Sequence, residues 1–81
     1  MFNIKKLLTM FYYKVDVMGK NGYSFMVQST EELDELDVIH KAYLSDLFND
    51  AIDLNYAMVD DLVDETDVEH FKSCGCLHNI S

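Results

Sequence analysis

The stretch "FYYKVDVMGKNGYSFMVQS", residues 11–29, decides the fold. Phe11, Tyr13, Val15 and Val17 alternate with Tyr12, Lys14 and Asp16; after the GKNG break, Tyr23, Phe25 and Val27 alternate with Ser24, Met26 and Gln28. A period of two turns successive side chains to opposite faces, so both runs read as strands with one apolar face. Asn21-Gly22 supplies the positive-φ residues of a tight reversal, and the whole predicts a β-hairpin. A hairpin alone is marginal in water and needs a further strand or helix to cover it.

The chain downstream offers both. Ser29 and Thr30 are capping residues, with Glu32 three positions after Ser29 as in a capping box. Glu31, Glu32, Asp34 and Glu35 suit the positive end of a helix dipole. Leu33, Leu36, Ile39 or His40, Tyr43, Leu44 and Leu47 recur at steps of three and four, which predicts one buried stripe with an acidic face opposite. Residues 50–63 fit a helical stripe through Ile52, Tyr56, Val59 and Val63, but "YAMV" favours a third strand over about Tyr56–Leu62. A short helix then begins at Asp64, Thr66 or Asp67, carries Val68 and Phe71, and stops at Gly75. The expected class is α+β: a small antiparallel sheet, the hairpin plus a third strand, packed on one main helix, with a short C-terminal helix. Residues 10–73 form the single domain, residues 1–9 an N-terminal extension or first-strand lead-in, and residues 74–81 a C-terminal tail.

Eighty-one residues, 49% hydrophobic and 12% aromatic, can bury one small core and no second. The net charge of −9 is unevenly spread. Residues 1–20 hold Lys5, Lys6, Lys14 and Lys20 against Asp16, whereas the remainder holds fourteen acids against Lys41 and Lys72. Arginine is absent, which removes the side chain best suited to phosphate and argues against direct nucleic-acid binding. In "MFNIKKLLTMFYYKV" the apolar run is broken by Tyr12, Tyr13 and Lys14 and lacks a small-residue cleavage site, so neither an export signal nor a membrane span is expected. Cys74 and Cys76 stand too near each other for an ordinary loop-closing disulfide, which suits a reducing cytoplasm.

Several motifs invite chemistry and lack its context. "DDLVD", residues 60–64, has the Asp-Asp-x-x-Asp spacing that holds magnesium against a diphosphate, but neither a large helical cavity nor a set of cations accompanies it. His70, Cys74, Cys76 and His78 are four zinc-type donors in "HFKSCGCLH"; a single residue between the cysteines strains a shared chelate, and a frayed tail with two free thiols is the preferred reading. The same cysteines beside histidines could serve nucleophilic catalysis only with a walled pocket, for which so small a core has little room. No catalytic residue and no cofactor are assigned, and the protein reads as a non-enzyme. His40 reads as a structural imidazole beside the buried stripe. Tyr12 and Met26, on the hairpin's second face, are candidate exposed anchors, as is Tyr56.

The acidity is what remains. "STEELDELDVIHKAYLSDLF" and "MVDDLVDETDVEHF", set behind a small hairpin, resemble the short acidic proteins of phages and mobile elements, among them anti-CRISPR proteins and other DNA mimics. That resemblance implies carboxylates occupying the arginine and lysine sites that a host nuclease or effector uses for phosphate. The candidate contacts are Glu31, Glu32, Asp34, Glu35 and Asp37, then Asp60, Asp61, Asp64, Glu65, Asp67 and Glu69, with Tyr12 as apolar anchor. The alternatives are a cytoplasmic accessory domain that self-associates as a homodimer, its acidity serving solubility, and a zinc-stabilised adaptor.

Overall fold

The computed structural model describes residues 10–19 and 22–81. The hairpin forms as the alternation requires: β1 (Phe11–Val17) pairs antiparallel with β2 (Tyr23–Ser29), Tyr13 opposite Val27 and Val15 opposite Phe25. Asn21 lies outside the described residues. The positive φ falls at Gly19, at 127°. Gly22 is needed for a different reason, since a Cβ there would stand 3.0 Å from the Val17 carbonyl oxygen.

After β2 come α1 (Glu35–Leu44), a 3-10 helix (Ala51–Tyr56), β3 (Ala57–Asp60), α2 (Glu65–Ser73) and β4 (Leu77–Asn79). The strands lie in the order β3-β1-β2-β4, with β3 antiparallel to β1 and β4 parallel to β2. The α+β class, the main helix and the short C-terminal helix are as expected. The sheet is mixed and gains a fourth strand, because the C-terminal segment is not a frayed tail. Ile80, buried in the core, donates its N–H to the Gln28 carbonyl at 2.9 Å, and the Met26 N–H reaches the Cys76 carbonyl at 2.9 Å.

Since β2, β3 and β4 all run one way, both helices are crossover connections, one leading from β2 to β3 and the other back across the sheet to β4. Two crossovers of one hand that travel in opposite directions must use opposite faces. On the first face, Tyr13, Val15, Val17, Phe25 and Val27 meet Val38 and Ala42 of α1 together with Phe48. On the second, Met26 is fully buried and Tyr12 half-buried in the region crossed by α2. Met26 therefore cannot serve as an exposed anchor.

The helix boundaries correct two expectations. Ser29 does not cap α1; it ends β2, and its hydroxyl accepts from the Glu31 N–H at 3.0 Å in a tight turn. The cap is Asp34, whose carboxylate accepts from the Asp37 N–H at 2.8 Å. The buried face of α1 is Val38 and Ala42, one helical turn apart; of the expected stripe, Leu33, Ile39 and Leu47 pack against the same core, while Leu36, Tyr43 and Leu44 are exposed. Small side chains let the helix lie close on a sheet already filled by Tyr13 and Phe25. His40, expected beside that stripe, is exposed.

Candidate functional site

The loops that leave β2 and β3 both emerge at the carboxyl ends of strands pointing the same way, so they arrive at one edge of the sheet. This brings together two acidic segments some thirty residues apart in sequence. Glu32, Leu33 and Asp61 line one shallow hollow of about 330 Å³ with Tyr12, Tyr13 and Val63. Asp34, Glu35 and Asp61 border a second, of about 230 Å³, around Tyr13, Leu33 and Val59. Tyr13 fixes this edge from beneath, its hydroxyl accepting from the Leu33 N–H at 2.8 Å. Beside it, Tyr12, Val63 and Val68 sit with Asp64, Glu65 and Glu69 around a third hollow.

The carboxylates of this edge divide by what they hold. Asp34 caps α1. Asp64 caps α2, accepting from the Asp67 N–H at 2.9 Å while Asp67 reaches back to the Asp64 N–H. Asp60 closes the loop after β3 by accepting from the Leu62 N–H at 2.8 Å. These four of the eleven candidates are thus engaged by the local backbone, and their first task is structural. Glu31, Glu32, Glu35, Asp61, Glu65 and Glu69 are exposed and accept no side-chain hydrogen bond among the described residues, as does Asp37. The one ion pair among the described residues joins Lys14 to Asp16, 3.9 Å apart, and involves none of these seven. The N-termini of both helices lie at this edge, and their dipoles partly offset the repulsion among the acids.

The zinc-type donors are not brought together. Strand alternation puts Leu77 level with Met26 and His78 level with Val27, so the His78 ring turns to the first face and stands edge-on to Phe25 at 6.1 Å. His70 remains on α2 against Phe71 at 5.5 Å. Among the described residues no group of three or more His, Cys, Asp or Glu side chains is placed to hold a metal ion. The Asp60, Asp61 and Asp64 spacing likewise assembles no metal site.

The opposite end of the sheet holds Tyr56, expected as an exposed anchor, among residues that the sequence did not mark. Met18, Ile52 and Tyr56, each about half exposed, border an open hollow of about 480 Å³ with Asp50 and Asp53. Tyr23 ties it together: its hydroxyl donates to Asp53 Oδ2 at 2.8 Å and accepts from the Asn49 N–H at 3.0 Å. Burial raises the Tyr23 pKa above its ordinary value, the Asn49 N–H lowers it, and the bond to Asp53 raises it again. No helix among the described residues is long and apolar enough to cross a membrane.

No family model matches the chain, and no curated protein or solved structure matches it.

Proposed function

We propose that this protein is a non-enzymatic binding module whose acidic edge docks on a basic protein surface, one that a host nucleic-acid-binding effector uses for phosphate. The observation that carries this reading is the convergence of the two acidic segments at the carboxyl ends of β2 and β3, on a base made rigid by Tyr13. Glu31, Glu32, Glu35 and Asp61 supply the charge, with Glu65, Glu69 and Asp37 beside them; Tyr12, half-buried under α2, contributes apolar contact at its exposed rim. Carboxylates held on a preformed edge lose little freedom when they meet arginine or lysine, and long-range attraction speeds encounter. The capping carboxylates Asp34, Asp60, Asp64 and Asp67 hold the edge in shape and add to its field.

Affinity capture from a host extract tests the reading. The tagged full chain should retain a basic protein that elutes as salt is raised, and nucleic acid should compete for it. The proposal is wrong if nothing basic is retained at low salt.

A second reading is favoured by the apolar end of the sheet. Met18, Ile52 and Tyr56 could seat a second copy of the chain. In that case a homodimer should persist at high salt, since apolar contacts are not screened.

A further inference from the structure

The sharp turn between α2 and β4 holds two thiols that the docking role does not use. Cys74 is the C-cap of α2 and is exposed; Cys76 is half-buried where the chain enters β4. Both are free, and Cys76 Sγ lies 3.9 Å from the Cys74 carbonyl oxygen. The residue between them, Gly75, has φ of +79°, and a Cβ there would meet nothing within 4 Å. Left-handed backbone at this position folds the two flanking Cα atoms back toward each other, as the reach of a disulfide requires. The surrounding backbone is anchored on both sides: the Cys76 N–H donates to the Phe71 carbonyl at 2.8 Å, and the Cys76 carbonyl accepts from the Met26 N–H at 2.9 Å.

From this placement we propose that Cys74 and Cys76 form a reversible redox site that takes low-molecular-weight disulfides as its substrate. The exposed Cys74 thiol loses its proton and attacks one sulfur of the small disulfide. A mixed disulfide forms, the sulfur–sulfur bond of the small molecule breaks, and the departing thiolate takes up a proton. Cys76 then loses its proton and attacks Cys74 Sγ, forming the Cys74–Cys76 bond and expelling the second small thiolate, which takes up a proton. In sum two protein thiols are oxidised by two electrons, and one disulfide is reduced to two thiols.

Two features set its character. The Cys74 thiol donates to the Phe71 carbonyl at 3.5 Å, a contact that it must give up for its sulfur to attack. A ring closed through one intervening residue is strained, so the bond is easily reduced and belongs with labile, regulatory disulfides rather than structural ones.

Intact-mass measurement of the full chain in oxidised glutathione, with thiols alkylated before analysis, tests this directly. The wild type should appear as a monomer lacking two hydrogens and resistant to alkylation, and excess reduced glutathione should restore both alkylation sites. Cys76→Ser should stop at one glutathione attached to Cys74, since the resolving thiol is gone. The proposal is overturned if the wild type accumulates glutathione adducts or disulfide-linked dimers, or keeps two alkylatable thiols under conditions that modify Cys76→Ser. The wild-type measurement stands whether or not the variant folds.

Discussion

The Tyr23 hydroxyl donates to the Asp53 carboxylate at 2.8 Å, joining the start of β2 to the 3-10 helix thirty residues later. With the Asn49 N–H on the same oxygen, it closes the loop after α1 against the sheet. Tyr23→Phe should lower unfolding free energy by about 1 kcal/mol, read from chemical denaturation. The pH dependence follows from the raised pKa. Above about pH 10 the unfolded chain releases the Tyr23 proton while the folded chain keeps it, so the native state binds more protons there. This contribution to stability is complete below pH 10 and falls as pH rises through the higher folded pKa. Tyr23→Phe should remove that part of the alkaline decline.

Carboxylates at the acidic edge should divide into two classes on substitution. Asp34→Ala and Asp64→Ala each remove a helix cap and should cost about 1 kcal/mol. Glu32→Gln and Asp61→Asn remove charge that holds nothing in place, and should stabilise the low-salt protein by about 0.5 kcal/mol or less, a gain that disappears as salt is added. Thermal unfolding at two ionic strengths separates the classes.

Burial of the second sheet face gives a sharper contrast. Met26→Ala should cost about 2–5 kcal/mol, because the side chain is fully enclosed, whereas Leu36→Ala, 77% exposed on α1, should change stability by no more than about 0.5 kcal/mol. An equally large loss at Leu36 would place it on the buried face of α1 and contradict its exposure. Ile80→Ala, in the last buried position of the chain, should fall with Met26.

The legible parts of this fold were those set by local pattern. Strict alternation over residues 11–17 and 23–29 has one reading, and a helix start at Asp64, Thr66 or Asp67 was legible, the structure selecting Asp64. The phase of α1 was obscured because size-weighted reading favours Leu36, Tyr43 and Leu44 over Val38 and Ala42, although close helix-on-sheet packing selects the smaller pair. Ser29 fits a turn as well as a cap, and only the position of Asp34 decides between them. β4 was invisible, since "LHN" has no strand pattern of its own and forms because the free edge of β2 accepts it. The acidic segments were plain in the sequence, but their meeting at one edge depends on β2 and β3 pointing the same way, which topology alone determines.

That meeting is the claim on which the docking role rests, and two variants of equal charge test it. Glu32→Gln with Asp61→Asn neutralises the shared edge, while Asp46→Asn with Asp50→Asn removes the same charge from residues beyond the far end of α1 and at the opposite hollow. The measurement is the salt concentration at which the captured basic protein elutes from each. Elution of the edge variant at clearly lower salt than both the wild type and the distal variant is the predicted result; equal weakening of the two variants, or none in the edge variant, would contradict it.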